Sequence, residues 1–234
     1  MKEQFKRTEL IFSKENMEKL YNSKVIVFGV GGVGGHLTEA LARSGVGHIT
    51  IVDFDDVEIT NINRQLVALH STIGKSKVEV LKARLLDINP DIEVEAIKKF
   101  YLPENEDEFN LSKYDYVIDA VDNMSAKISL VLRANSQNVP IISAMGAGNK
   151  IDPTKLEVSD IYKTSVDPLA KILRHELKKR GITRLKVVYS KEEPIKVNEY
   201  DEKKRAITGS TSFVPPAMGL VIASEVIKDL LNRN

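Results

Sequence analysis

The sequence has 234 residues, of which 42% are hydrophobic and 29% charged, enough apolar material for the core of one large folded domain. Its 34 lysines and arginines nearly cancel its 33 aspartates and glutamates, so a nucleic-acid partner would have to bind a local basic patch. The lack of cysteine excludes disulfides, thiolate zinc sites and a thiol nucleophile. No apolar run reaches the roughly 18 residues of a membrane span and the N-terminus is polar, so we expect a cytoplasmic protein.

Apolar runs of strand length alternate with helical patterns along the chain. The predicted strands cover residues 24–28, 48–53, 93–97, 116–121, 140–144, 156–161 and 186–190. The predicted helices cover residues 33–44, 75–88, 125–138, 167–179 and 213–231. This alternation, with strands rich in valine and isoleucine, predicts an α/β fold: a doubly wound, Rossmann-like, mainly parallel sheet with a C-terminal extension.

We expect a single domain over residues 1–234, with a nucleotide-binding core at about 22–145 and an extension at about 146–234. The extension contains one segment of a different character. In residues 191–205, ten of fifteen side chains are charged, with both signs present. This composition predicts a mobile surface loop.

A glycine-rich turn joins the first predicted strand to the first predicted helix. It contains Gly29, Gly31, Gly32 and Gly34. Glycines let the backbone approach phosphates closely, and a helix N-terminus offers free N–H groups to an anion. Asp53 ends the next strand and can bind ribose hydroxyls. The pattern therefore predicts a nucleotide site, although NAD and FAD proteins share the same design.

Three charged residues further along the chain favour a triphosphate. Arg64 and Lys77 follow the second strand and can neutralise the charge that develops when an α-phosphorus is attacked. Asp122 follows the fourth strand, at the edge where ligands of open α/β sheets bind, and its carboxylate can hold Mg²⁺. The alternative role for Asp122 is to cap the helix that begins a few residues later.

Together these motifs resemble the adenylation signature of the ThiF, MoeB and HesA group, which includes the ubiquitin-activating enzymes. The resemblance implies that ATP and Mg²⁺ adenylate a carboxylate, with Asp122 supporting the metal. It implies a nucleotide site formed by Gly29, Gly31, Gly32, Gly34, Asp53, Asp55, Asn61, Arg64, Gln65, Lys77, Asp122 and Asn123. In these enzymes an arginine from the partner subunit also reaches the site. Arg7 is the nearest match, so we expect a homodimer in which the catalytic residues are Arg7, Arg64, Lys77 and Asp122.

The rest of the chain resembles one branch of that group, the bacterial tRNA threonylcarbamoyladenosine dehydratases. Residues 146–153, 160–170, 187–190 and 209–215 carry this likeness. It implies that the extension faces the substrate, and that the activated acid is the threonyl carboxylate of threonylcarbamoyladenosine beside the anticodon of a tRNA. An internal group of the same side chain then displaces AMP, and the side chain takes a cyclic form with net loss of water. A sulfur-relay desulfurase and an acceptor protein are associated with the family, and a monovalent cation is a further candidate cofactor.

The helix predicted at residues 167–179 forms the most basic region of the chain. Leu169, Ile172, Leu173 and Leu177 make an apolar stripe, and the basic side chains lie largely on the other face. The candidate tRNA contacts are Lys150, Lys171, Arg174 and Lys178. The alternative interpretation is an ordinary solvated helix face.

Three other functions compete with the dehydratase. The first is an adenylyltransferase that activates the C-terminal glycine of a ubiquitin-like sulfur carrier, which would need a protein partner and no RNA. The second is an NAD-dependent oxidoreductase, which would leave Arg64, Lys77 and Asp122 without a role. The third is a nucleotide-sensing module, which would bind ATP and release no pyrophosphate.

Overall fold

The computed structural model of the protein describes residues 2–200 and 207–232. Its helices are α1 Lys6–Phe12, α2 Lys14–Asn22, α3 Gly34–Arg43, α4 Lys77–Ile88, α5 Met124–Ser136, α6 Pro168–Lys179 and α7 Val214–Leu231. Its strands are β1 Lys24–Phe28, β2 His48–Val52, β3 Glu93–Ile97, β4 Tyr116–Asp119, β5 Ile141–Ala144, β6 Leu156–Asp160 and β7 Lys186–Ser190. Short 3-10 helices lie between several of them.

The strands form one sheet in the order β3-β2-β1-β4-β5-β7-β6. All neighbouring pairs are parallel except β6 and β7, which are antiparallel. The chain crosses from β3 at one edge to β4 beside β1, which creates a topological switch point between β1 and β4. Ligands of open α/β sheets bind at the carboxyl ends of strands at such a point. The predicted doubly wound α/β fold is confirmed.

Every predicted strand and helix is present, with ends within two residues of the prediction. The two N-terminal helices α1 and α2 were not predicted. They carry few apolar residues, and only Met17 and Leu20 of α2 are buried. Ser13, between the helices, has a positive φ of 74° and its side chain accepts a hydrogen bond from Asn16 N.

The C-terminal extension continues the same sheet. Strand β7 pairs with β5, and α7 packs closely on α3. A Cβ atom on Gly219 of α7 would lie 2.5 Å from the Val33 carbonyl oxygen, so glycine is needed for this approach. The division at about residue 146 remains a prediction, because the sheet runs through it.

The prediction of a mobile surface loop at residues 191–205 is wrong at Glu192. This side chain is buried, and its carboxylate accepts hydrogen bonds from Ile151 N and Asp152 N at 2.9 to 3.1 Å. Residues 201–205 of the predicted loop lie outside the described residues. Among the described helices, none is long and apolar enough to cross a membrane.

Candidate nucleotide-binding site

A cavity of about 380 Å³ opens at the carboxyl ends of β1, β2 and β4. Ten residues predicted from the sequence line it: Gly29, Gly31, Gly32, Asp53, Asp55, Arg64, Gln65, Lys77, Asp122 and Asn123. The lining also includes residues that were not predicted, among them Phe54, Phe100, Tyr101, Ala147, Gly148, Thr208 and Ser210. The ten predicted residues alone come from five separate segments of the chain, which the fold brings together.

The glycine turn is shaped by two different requirements. Gly29 has a φ of +86°, and a Cβ atom there would lie 2.6 Å from the Ala120 carbonyl oxygen. A Cβ on Gly34 would lie 1.8 Å from the Gly29 carbonyl oxygen, so this residue allows α3 to start against the turn. Gly34 does not line the cavity, whereas Gly31 and Gly32 do. The backbone of Gly31 and Gly32 is therefore accessible to a phosphate bound in the cavity.

Asp53 is fixed in orientation beside this turn. One carboxylate oxygen accepts a hydrogen bond from Val30 N at 2.7 Å and the other from Asp55 N at 2.9 Å. Burial raises the pKa of Asp53, and these hydrogen bonds and the nearby Lys77 ammonium oppose that rise. Each oxygen keeps lone-pair capacity, so the carboxylate can accept ribose hydroxyls as well.

Lys77 is the first residue of α4 and is almost completely buried. Its Nζ lies 2.7 Å from Asp55 Oδ2, and its backbone N–H donates to the Asp55 carbonyl at 3.1 Å. A buried ammonium requires an anionic partner. Asp55 is largely exposed, so this contact can be exchanged for a phosphate with little rearrangement.

Arg64 and Gln65 present unused polar groups to the cavity. Arg64 uses one guanidinium nitrogen, Nη1, to donate to the Thr60 carbonyl at 3.0 Å and to Asn63 Oδ1 at 2.8 Å. The buried Oε1 of Gln65 has no hydrogen-bond partner among the described residues. Buried acceptors are normally hydrogen-bonded, so an unpaired one beside a cavity indicates that a bound ligand supplies the donor. Both residues can therefore contact a bound nucleotide.

Asn61 supports the backbone turn that carries Arg64 and Gln65 and does not itself line the cavity. Its Oδ1 accepts a hydrogen bond from Glu58 N at 3.2 Å, and its carbonyl accepts from Arg64 N and Gln65 N. Asn61 is buried and holds the backbone of Arg64 and Gln65, and its predicted contact with the phosphates remains a prediction.

Asn123, not Asp122, caps α5. The Asn123 side chain accepts a hydrogen bond from Ala126 N at 3.0 Å. Asp122 is exposed in the cavity wall, and no described residue donates a hydrogen bond to its carboxylate. A free carboxylate at this edge fits Mg²⁺, which proteins bind through one or two carboxylates together with substrate phosphates. No group of three or more metal-binding side chains occurs in the described part of the chain.

A fully buried ion pair lies next to the cavity wall and was missed in the sequence. Asp119 Oδ2 and Lys127 Nζ are 2.7 Å apart, with neither side chain exposed. Lys127 also donates to the Ala144 carbonyl at 3.0 Å, and Asp119 accepts from Val121 N at 3.2 Å. The pair therefore joins the ends of β4 and β5 to α5. The sequence signal for this pair was a charged residue, Asp119, inside the otherwise apolar strand predicted at residues 116–121.

Tyr101 forms another part of the wall. Its hydroxyl is 2.8 Å from Ser129 Oγ, which in turn donates to Glu106. Its ring packs edge-on against Phe28 and Phe109. Burial raises the pKa of Tyr101 to about 12. The hydroxyl therefore stays protonated at neutral pH and the ring is held in place.

The remaining predicted residues lie away from the cavity. Arg7 is exposed on α1 and does not line the cavity of its own chain. The structure does not support a tRNA contact by Lys150, because its ammonium is buried 3.1 Å from Asp167 and 2.6 Å from the Gly146 carbonyl. Lys171 and Lys178 of α6 are exposed.

Arg174 of α6 is half-buried and already bonded within its own chain. It donates to the Thr164 carbonyl at 2.8 Å and to Thr164 Oγ1 at 2.7 Å. Ile172, assigned to the buried stripe of α6, is instead 54% exposed. Leu173 and Leu177 are buried as predicted. The exposed basic face is therefore smaller than the sequence suggested.

These features define a nucleotide-binding α/β protein whose cavity places two cations and a free carboxylate beside a phosphate-binding turn. The family model described as "ThiF family" matches residues 4–234. The chain belongs to the ThiF family.

Known members of the family resemble the whole chain. It is 48% identical to the tRNA threonylcarbamoyladenosine dehydratase of Bacillus subtilis, with 99% of this chain and 96% of the relative covered. The structure of the E. coli tRNA N6-threonylcarbamoyladenosine dehydratase TcdA in complex with AMP superimposes with a TM-score of 0.90 at 33% identity, covering 97% and 94% of the two chains. The E. coli molybdopterin-synthase adenylyltransferase is 33% identical over only 56% of this chain and 53% of its own.

Proposed function

We propose that this chain is an ATP-dependent tRNA threonylcarbamoyladenosine dehydratase. The observation that carries this proposal is the 48% identity to a dehydratase along 99% of the chain. The extension is included in that likeness, whereas the match to the molybdopterin-synthase adenylyltransferase covers about half of the chain. The TcdA structures with AMP and with ATP support ATP as the cosubstrate.

The first step is adenylation of the threonyl carboxylate. A carboxylate oxygen attacks the α-phosphorus of ATP, and pyrophosphate leaves. Asp53 and the glycine turn hold the nucleotide, and Arg64 and Lys77 stabilise the charge that develops on the phosphates. The protein supplies position and charge, so this step needs no protein nucleophile.

Asp122 is the residue that would hold Mg²⁺ in this site. The metal, when bound, neutralises phosphate charge and assists the departure of pyrophosphate. Asp122 suits this role because its carboxylate faces the cavity without a described partner.

The second step closes a ring within the substrate. A nucleophilic group of the same side chain attacks the acyl carbon and loses its proton. AMP leaves with the original carboxylate oxygen, so the nucleoside loses one water overall. Intramolecular attack removes the need for a catalytic thiol, which agrees with the lack of cysteine in the sequence.

The tRNA and protein partners are part of the proposal. Lys171 and Lys178 are exposed cations on α6 that can bind tRNA phosphates. A homodimer would let Arg7 of one protomer reach the cavity of the other; Arg7 is exposed and does not line the cavity of its own chain. A sulfur-relay desulfurase and its acceptor are proposed partners from the family resemblance. A tRNA substrate supports a cytoplasmic location.

The decisive experiment combines the purified protein with ATP, Mg²⁺ and tRNA that carries threonylcarbamoyladenosine. After digestion, mass spectrometry should find a nucleoside lighter by one water, and one AMP should form for each. Arg64→Ala and Asp122→Ala should each lower the rate by about 100-fold, the usual effect of removing one transition-state contact. The matched controls Arg43→Ala and Asp87→Ala change charges outside the cavity and should leave the rate unchanged.

The same assay separates the dehydratase from its rivals. If ATP is consumed only after a ubiquitin-like carrier with a C-terminal glycine is added, the sulfur-carrier adenylyltransferase is correct. If no AMP forms with either substrate, adenylation itself is refuted.

A further inference from the structure

Asn63 bridges two walls of the nucleotide cavity, and no function considered so far gives it a role. Its Oδ1 accepts a hydrogen bond from Arg64 Nη1 at 2.8 Å, and its Nδ2 donates to the Ser210 carbonyl at 2.9 Å. Asn63 itself is exposed and does not line the cavity. One amide group therefore holds both walls from outside.

The first of these walls carries Arg64. Its Nη1 is shared between Asn63 and the Thr60 carbonyl. Both acceptors lie on the short segment before Arg64, so they fix the direction in which the guanidinium leaves the backbone. Removing the Asn63 side chain takes away one of these two acceptors and leaves Arg64 held by the Thr60 carbonyl.

The second wall is the segment Thr208–Ser210, which reaches the cavity from the far end of the chain. Gly209 is clamped by Asn149: Gly209 N donates to Asn149 Oδ1 at 2.6 Å, and Asn149 N donates to the Gly209 carbonyl at 2.8 Å. A Cβ on Gly148 would lie 2.2 Å from Thr208 Cγ2 and 3.2 Å from the Gly209 carbonyl oxygen, so the two segments pack closely together. Direct hydrogen bonds and close packing therefore fix this wall against residues 148–149.

Asn149 makes this clamp from an unusual backbone conformation. Its φ is +58°, in the left-handed region that asparagine tolerates better than most residues. Its carbonyl accepts a hydrogen bond from Ile195 N at 2.7 Å. The surrounding contacts hold this conformation and so give the Thr208–Ser210 wall a defined position. Asn63, bonded to Ser210, can connect that position to Arg64.

We propose that Asn63 is a positioning residue that couples the Thr208–Ser210 wall to Arg64, so that ATP at Arg64 orders the wall against which the acid substrate lies. The amide suits this task because it accepts from one wall and donates to the other. The identity of that substrate rests on the proposed function, whereas the coupling needs only ATP.

Hydrogen–deuterium exchange with ATP and Mg²⁺ as the probe tests this coupling. Two peptides are followed: residues 29–35, which report nucleotide binding, and residues 207–214, which report the wall. The variants are Asn63→Ala and the control Thr60→Ala, which lies on the same segment and keeps the backbone carbonyl that bonds to Arg64. In wild type and control, ATP should slow exchange in both peptides.

In Asn63→Ala, ATP should still slow exchange at 29–35, while the slowing at 207–214 should fall by at least about fivefold, the lower end of usual coupling between sites. Asn63→Asp keeps the acceptor for Arg64 and loses the donor for Ser210, so it should behave like the alanine variant at 207–214. With modified tRNA, Asn63→Ala should raise the KM for tRNA and keep the KM for ATP within about twofold of the control.

Three outcomes separate the possibilities. Equal slowing at 207–214 in Asn63→Ala and Thr60→Ala overturns the coupling, even if Asn63→Ala melts at a lower temperature. Loss at 207–214 in Asn63→Ala alone supports it, whatever the tRNA assay gives. No slowing at 29–35 in the wild-type protein shows that ATP does not bind, which refutes the proposed function and the inference together.

Discussion

Replacing Lys127 by methionine should destabilise this protein far more than any surface substitution. The ion pair between Lys127 and Asp119 is fully buried, with its charged atoms 2.7 Å apart. Methionine leaves the Asp119 carboxylate with one described hydrogen bond, from Val121 N at 3.2 Å. It also removes the donor to the Ala144 carbonyl. The variant therefore leaves an unpaired charge in the interior.

The size of the effect follows from that unpaired charge. Removing one partner of a buried ion pair costs about 3–5 kcal/mol of unfolding free energy. In a chain of this length each kcal/mol lowers the Tm by about 2–4 °C, so the Tm should fall by roughly 6–20 °C. The double variant Asp119→Leu/Lys127→Met removes both charges and should recover most of the loss, because apolar pairs replace buried ion pairs at little cost.

Urea unfolding followed by far-UV circular dichroism measures the single variants Lys127→Met and Asp119→Leu and the double variant; the sequence has no tryptophan for fluorescence. We expect a coupling energy of at least about 2 kcal/mol from the double-mutant cycle. The double variant should fold, but its rate of dehydration should be at least about tenfold lower. Asp119 no longer bonds to Val121 N beside Asp122, and small displacements of catalytic groups are costly. A loss below about 1 kcal/mol in Lys127→Met would refute this reasoning, since it would mean that water or another group satisfies Asp119.

Three further predictions concern the cavity and the basic helix. Burial raises the pKa of Tyr101 from 10 to about 12, so the folded state keeps about 2–3 kcal/mol of stability below pH 10 that is lost as the pH rises towards 12. Urea unfolding of Tyr101→Phe should therefore show a smaller loss of stability over that pH range. An equal loss in the variant and the wild type would contradict the assignment. Gly34→Ala should abolish folding or lower the Tm strongly, because its Cβ would lie 1.8 Å from a carbonyl oxygen, whereas Gly31→Ala should keep the Tm and weaken ATP binding measured by calorimetry. Lys171→Ala/Lys178→Ala should weaken tRNA binding in filter assays and reduce the slope of log K against log salt by roughly 1.4–1.8; an unchanged slope would exclude α6 from the tRNA interface.

The strands could be predicted from the sequence because their physical signal is strong. Parallel strands buried on both faces form unbroken apolar runs, and β1, with four buried residues of five, is such a run. The short amphipathic helices α1 and α2 lack this signal. Helix α2 buries only Met17 and Leu20, which polar neighbours conceal in the sequence. Local composition thus recovered the sheet but not the N-terminal helices.

The cavity could be predicted in part for a similar reason. Its motif residues lie at the carboxyl ends of adjacent parallel strands, so the topology itself brings them together. The Thr208–Ser210 wall comes from the far end of the chain, and no local pattern connects it to Arg64. Lys150 shows the opposite error: a lysine in a loop suggests an exposed cation, yet its partner Asp167 lies 17 residues away in sequence and buries it.

Glu192 offers the clearest test of what charge composition fails to reveal. The run of charged residues predicts a solvated loop, but the Glu192 carboxylate is buried and accepts from two backbone N–H groups, at Ile151 and Asp152. Glu192→Ala removes both carboxylate oxygens, so the backbone N–H groups of Ile151 and Asp152 lose the acceptor that they share, at a cost of about 1–3 kcal/mol for each N–H left buried. Glu193→Ala is the matched control, because the Glu193 side chain is the next along the chain and is exposed. Urea unfolding should separate the two variants by that amount; equal stabilities would mean that the Glu192 contacts contribute nothing and that the loop is as loosely held as its composition predicts.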